Sequence, residues 1–256
     1  MGSQKKTPTF TINNMLFPIL VIAANIFVFF YFKNHVADPK LIQQFILTPE
    51  NVFAKGRWYC VITSGFIHKD MSHLLFNAVG ILIFGSVAEK RFGFFKTLFI
   101  YIGALALSMF FSTFVYTFIM HKNVGIIGAS GAVMGLMSCA ILTDPFLITF
   151  ETIIPLPLML KGWMFFYADI HGFLGGETDR VSHLAHLFGF LSIAVIIYFL
   201  SKNDRKILLT GLIVNILSFS AFLAFSEYVA KNGNTPVLQD INILLNHIKA
   251  RLSKGA

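Results

Sequence analysis

An all-α polytopic membrane protein is the fold class this sequence predicts, and three observations predict it. Hydrophobic residues make up 56% of the chain and charged residues only 12%, with a mean hydropathy of +0.73, against roughly 25% charged in a soluble domain. Apolar runs of about 20 residues recur, long enough to cross a bilayer as helices. Basic residues cluster where those runs end, as lipid headgroups and the positive-inside rule require. The net charge of +8 therefore reads as membrane-facing and calls for no nucleic acid. Cys60 and Cys139 are too few for a disulfide framework.

The first helix runs from Met15 to Phe32, behind Lys5 and Lys6. It carries Asn25 mid-run and more spans follow it, so it reads as a retained helix and not a cleaved signal. Lys33 to Arg57 is amphipathic and punctuated by Pro39 and Pro49. Leu41, Ile42, Phe45 and Ile46 recur there at helical spacing, which predicts a short helix in the interface plane. The second helix covers about His73 to Ala88 and ends in Glu89-Lys90-Arg91; the third runs from about Thr97 to Met120. The fourth begins near Ser130 and stops at Asp144-Pro145. Phe146 to Lys161, broken by Pro155 and Pro157, reads as an interfacial loop. A fifth helix follows from about Gly162 to Phe173, with a start that can reach back towards Leu158. The sixth covers about Ser182 to Leu200, and a seventh Ile207 to Ala230. The tail carries Ile241, Leu244, Leu245, Ile248 and Leu252, a stripe suited to surface packing.

With alternating spans, Lys5, Lys6, Lys90, Arg91, Lys96, Lys161, Lys202, Arg205 and Lys206 fall on one side, which predicts a cytoplasmic N-terminus. Helices two, four and six then run inward together. His73 lies 17 residues from Lys90 and Asn77 lies 13; Ser130 is 14 from Asp144, and His186 is 16 from Lys202. At about 1.5 Å per residue, all four stand roughly 20–25 Å above the inner boundary, inside a core about 30 Å thick. Polar side chains at membrane depth are costly, and several on one level mark a functional site. No acidic residue is expected at that depth.

A serine, a histidine and two further donors are the inventory of a serine hydrolase. The helix from Ser130 to Thr143 is too short to span, and Gly125-Ile126-Ile127-Gly128-Ala129-Ser130-Gly131 precedes or opens it. Non-helical backbone at this depth must be buried in protein or line a wet cavity. Ser130 thus sits at a helix N-terminus, where free N–H groups favour an oxyanion. His186 has Gly189 one turn on, allowing a close approach to the fourth helix. It can serve as the general base that takes the serine proton and returns it to the leaving amine. His73 and Asn77, i and i+4 on one face, can both donate to a tetrahedral intermediate. His68 falls in the lead-in to the second helix and reads as structural.

Gly128-Ala129-Ser130-Gly131, Ala185-His186-x-x-Gly189 and His68-x4-His73-x3-Asn77 together resemble the rhomboid family of intramembrane serine proteases. The resemblance covers roughly Arg57 to Leu200 and extends to Glu89-Lys90-Arg91 and Pro155-Leu156-Pro157. It implies a Ser130–His186 dyad without a third carboxylate, and an oxyanion hole of His73, Asn77 and the Ser130 N–H. It also implies transmembrane protein substrates cut near a helix end, in the lipid bilayer, with no cofactor. On this reading residues 1–206 form a six-helix protease core, 207–230 a seventh span, and 231–256 an amphipathic basic tail, in a bacterial inner membrane. The sequence departs from the family pattern at Tyr59-Cys60, Met134 and Ile193.

Other classes leave different marks. A zinc protease recruiting His68, His73, His183 and His186 lacks a His-Glu-x-x-His pairing. A transporter would string polar groups along a pathway, whereas these cluster at one depth. A catalytically inactive relative that binds membrane clients would lack Ser130 or His186, and both are present.

Overall fold

A computed structural model describes residues 15–34, 39–149, 155–175 and 182–232, with isolated positions at 243 and 246. Lys5, Lys6 and the Ile241–Leu252 stripe fall outside these residues. The regular secondary structure of the described residues is helical apart from one pair of two-residue strands and an isolated bridge between Leu47 and Ile126, which agrees with an all-α membrane fold. Among the described residues four helices are long and apolar enough to span: Leu16–Lys33, Met71–Phe92, Phe94–Ile119 and Lys202–Val229. Two shorter apolar helices, Ser130–Thr143 and His183–Phe199, lie among them.

Helix α1 (Leu16–Asn34) is held at its start by an acidic side chain from elsewhere in the chain. The Phe17 N–H donates to both Glu89 carboxylate oxygens at 3.1 Å, placing negative charge where the helix dipole favours it. Phe17 is fully buried and meets Tyr101 edge-on, with ring centroids 5.6 Å apart. The predicted interfacial helix is a single turn, α2 (Pro39–Gln43). Asn51 ties the following loop by donating to the carbonyls of Gln43 and Ile46, and by accepting from Arg57. A short α3 (Cys60–Thr63) and a 3-10 turn, Ser64–Phe66, lead to the second long helix.

That helix, α4 (Met71–Phe92), is capped by Asp70, whose carboxylate accepts from the His73 N–H at 2.7 Å. It ends at Gly93, whose φ of +77° lets the chain turn directly into α5 (Phe94–Phe114); an L side chain there would be strained. A π turn, Val115–Ile119, prolongs α5.

The centre of the molecule is α6 (Ser130–Thr143). Its residues from Gly131 to Leu142 are all buried, so this short helix contacts protein all round instead of lipid. The Gly-rich approach is satisfied by pairing: Ile126 N–H donates to Leu47 O and Gly128 N–H to Ser64 O, both at 2.9 Å. This meets the requirement that non-helical backbone at membrane depth find partners.

Strands β1 (Ile148–Thr149) and β2 (Leu156–Pro157) pair antiparallel ahead of α7 (Leu158–Leu174). Buried Lys161 anchors that corner by donating to the Thr149 carbonyl and hydroxyl at 2.8 and 2.7 Å. The sixth apolar run is broken where the sequence suggested continuity. It forms α8 (His183–Leu191), α9 (Ile193–Ile196) and a 3-10 turn, Ile197–Phe199. Ser192 marks the break, its hydroxyl donating to the Gly189 carbonyl at 2.6 Å and so competing for a backbone acceptor. The last helix, α10 (Lys202–Asn232), starts five residues before the expected span, at an ion pair between Asp204 and Lys96. It packs against the C-terminal half of α6, where Asn215 donates to Ile141 O at 3.0 Å.

Candidate active site

Ser130 is the first residue of α6, as its position after the Gly-rich segment predicted. The first N–H groups of a helix have no intrahelical acceptor, and the preceding Ala129 has no side chain to cap them. The Ser130 end of α6 therefore presents free donors.

Close packing of α6 on α8 is made by glycine. A Cβ on Gly189 would stand 2.1 Å from the Gly131 carbonyl oxygen, whereas one on Gly131 would clash with the Ser108 side chain of α5 and only touch the Ala185 carbonyl oxygen, at 3.4 Å. Only backbone-to-backbone contact fits there. Ser130 precedes Gly131 and His186 follows Ala185, so both residues flank this stretch of helix contact. The helix carrying His186 is fixed by Ser182, whose hydroxyl accepts from the Ala185 N–H at 3.4 Å and lies 3.3 Å from the Tyr116 hydroxyl.

From α4, the His73 ring lies against the Gly-rich turn before Ser130. A Cβ on Gly128 would meet His73 Cε1 at 2.5 Å and Nε2 at 2.6 Å. Gly128 has φ of +104°, so glycine serves both the turn and the space the ring needs. Asn77, buried one turn on, donates one amide hydrogen to His73 O at 3.0 Å, leaving its second for another acceptor. His68 precedes α4, and its ring sits edge-on to His73 with centroids 5.0 Å apart. Its Nδ1 pairs with the Phe66 carbonyl at 3.2 Å. Burial pushes its pKa down to about 4, so it is neutral at ordinary pH.

One expectation is overturned. A carboxylate does reach the histidine: Asp169 on α7 is buried, and its Oδ1 lies 2.9 Å from His186 Nδ1 and 2.8 Å from His183 Nδ1. The fifth helix was expected from about Gly162 with a start that could reach back towards Leu158, and α7 does begin at Leu158; Asp169 then lies 11 residues, about 16 Å, from that start. The available signal was a lone acid inside an apolar helix, which is a functional marker by itself.

Among the described residues, Asp169, His183 and His186 are the three side chains arranged so that they could hold a metal ion. Their spacing is that of hydrogen bonds. Ligands about 2.0–2.1 Å from a tetrahedral zinc stand roughly 3.3 Å apart, whereas Oδ1 is 2.8 and 2.9 Å from the two nitrogens. His68 and His73 lie outside this group.

Comparison with known proteins supplies the family. The rhomboid domain model matches residues 55–203, more than half of the chain. The chain belongs to the rhomboid family. It is 32% identical over 191 residues to RHOMBOID-like protein 12, mitochondrial, of Arabidopsis thaliana, covering 66% of this chain and 54% of that protein. Rhomboid protease AarA of Providencia stuartii is 26% identical over 155 residues, 55% of each chain. Putative rhomboid protease YdcA of Bacillus subtilis is 30% identical over 119 residues, 46% of this chain and 56% of that one. The chain thus spans about half the length of these relatives. The rhomboid family includes intramembrane serine proteases, and this member is an integral, multi-pass membrane protein. Relatives named mitochondrial or chloroplastic stand beside bacterial ones, so the matches do not single out a bacterial inner membrane.

Proposed function

We propose that this rhomboid is an active intramembrane serine endopeptidase with Ser130 as nucleophile and His186 as general base, cutting transmembrane proteins near a helix end. The observation that carries the proposal is the backbone contact of Gly131 with Gly189, which holds the Ser130 end of α6 against the His186 turn of α8. His186 Nε2 accepts the Ser130 proton as Oγ attacks the scissile carbonyl. The resulting oxyanion is held by the Ser130 N–H, His73 and Asn77. The proton then passes to the leaving amine, and water repeats the cycle on the acyl-enzyme. Substrates enter from the bilayer, and weak helices are favoured because a helix must unwind before its carbonyl can be reached. No cofactor enters the scheme. The catalytic core is residues 1–206, with the N-terminus cytoplasmic, 207–230 as a seventh span and 231–256 as a tail.

The test is a fluorophosphonate on the purified full chain, because an unactivated serine hydroxyl is a poor nucleophile. A single label at Ser130 is expected, lost in Ser130→Ala and in His186→Ala. The double variant should cleave a transmembrane substrate barely worse than either single one, since both belong to one proton-transfer unit. Labelling elsewhere, or substantial cleavage by Ser130→Ala, would sink the assignment. A folded protein that resists every such probe would instead be a client-binding, inactive rhomboid.

A further inference from the structure

We infer that Asp169 is the positioning carboxylate of this active site, converting the dyad into a Ser130–His186–Asp169 relay of hydrogen bonds. The inference rests on the proposed roles of Ser130 and His186, and it adds a residue that the family resemblance leaves out.

The argument starts from the cost of the group. A carboxylate in the apolar interior of a membrane helix is expensive and persists only with compensation. Among the described residues, the hydrogen-bond partners of Asp169 are the two imidazoles, His183 and His186, both through Oδ1. The arrangement is preset by packing. A Cβ on Gly172 would lie 2.3–2.6 Å from atoms of the His183 ring, so that ring is seated on α7 in space only glycine leaves. His183 therefore steadies the carboxylate from one side, and His186 uses it from the other.

The chemistry follows from the tautomers of imidazole. A base must offer a lone pair to the serine hydroxyl, and the free nitrogen of His186 is Nε2 only if the proton sits on Nδ1. An acceptor-only carboxylate 2.9 Å from Nδ1 selects that tautomer and fixes the ring plane. When Nε2 takes the Ser130 proton, the ring becomes an imidazolium in a low-dielectric site. The Asp169 charge, already in place, stabilises it without rearrangement. The proton goes from Ser130 to Nε2 and then to the leaving amine; Asp169 keeps its charge and accepts the Nδ1–H hydrogen bond throughout.

The first measurement needs no variant. Nitrogen-15 NMR of histidine-labelled protein in detergent, with His186 assigned by its absence in His186→Ala, should report Nδ1-protonated His186. An Nε2-protonated ring would overturn the inference. In Asp169→Asn, the amide N–H can turn toward Nδ1 and favour the wrong tautomer. Its kcat should fall roughly 10²–10⁴-fold with KM changed less than about threefold. Asp169→Glu should recover at least ten-fold of that loss, because the charge and acceptor return on a longer arm. A wild-type kcat in Asp169→Asn refutes the inference. So does a loss accompanied by lower thermal stability that Asp169→Glu does not rescue, because that is a purely structural role. Failure of the underlying dyad would look different: Ser130→Ala or His186→Ala would retain activity whatever Asp169 does.

Discussion

Replacing Gly189 by alanine tests the contact on which the site depends. The added methyl would meet the Gly131 carbonyl oxygen at 2.1 Å, its carbon at 2.8 Å and its Cα at 2.9 Å. None of these is the end of a flexible side chain, so nothing can rotate away. An ordinary contact begins near 3.4 Å, so α6 and α8 must part locally by an ångström or more. Overpacking of this kind costs about 1–3 kcal/mol of stability. The larger effect falls on chemistry, since the displaced backbone adjoins Ser130 on α6 and lies one turn from His186 on α8. A misplacement of about 1 Å can cost on the order of 10²-fold in rate. Gly189→Ala should therefore lower kcat and the rate of fluorophosphonate labelling by about that factor while leaving the protein folded in detergent. Leu191→Ala, at a half-exposed position of the same helix, serves as the control and should label within about twofold of wild type. Near-normal labelling of Gly189→Ala would refute the claim that this contact sets the distance between nucleophile and base.

Two further perturbations address the donors and the lead-in. His73→Ala and Asn77→Ala should each reduce kcat roughly 10²–10³-fold, the usual loss for one oxyanion donor, with little change in KM because the donors act on charge that develops later; a pure KM effect in both would make them substrate-binding residues. His68 is held neutral down to about pH 4 when folded, while in the unfolded chain it protonates near pH 6.5. The unfolded state thus binds the extra proton in that window, and stability should fall as pH drops from about 6.5 to 4, by on the order of 2 kcal/mol once solvent screening is allowed for. Melting in detergent across that range should show the slope, and His68→Gln should flatten it; an unchanged slope places the acid sensitivity elsewhere.

What the sequence disclosed and what it hid follow different physics. Ser130 was legible as a helix start because glycine-rich backbone and a helix too short to span leave few other arrangements, and α6 begins at that residue. Helix positions were legible from hydropathy alone, with ends off by a few residues where caps such as Asp70 and Gly93 decide the boundary. The break in the sixth run was hidden, since every residue from Ile193 to Leu200 is apolar apart from Tyr198. It arises at Ser192, whose hydroxyl donates to the Gly189 carbonyl three residues earlier, which hydropathy does not register.

Asp169 was hidden for a different reason, and that reason bears on how such sites should be read. Depth along a helix is set by where the helix starts, and a proline pair makes the start ambiguous by a turn. Pro155 and Pro157 suggested a loop to Lys161 with a helix start that could reach back towards Leu158; Pro157 immediately precedes the helix, a position where its fixed φ and missing N–H are tolerated. One turn is about 5.4 Å, which carries Asp169 to about 16 Å from the start of α7 and so nearer the level of the base. The energetic argument is insensitive to that ambiguity. A buried carboxylate flanked by Tyr167, Ala168, Ile170 and His171 must find donors somewhere, and His183 and His186, one turn apart on the next helix, are the donors it meets. Asking where each buried charge is compensated, before asking how deep it lies, leads from Asp169 to the histidine pair directly. It also explains why His183 stands one turn before His186: two imidazoles share one carboxylate oxygen, one steadying it and one in position to use it.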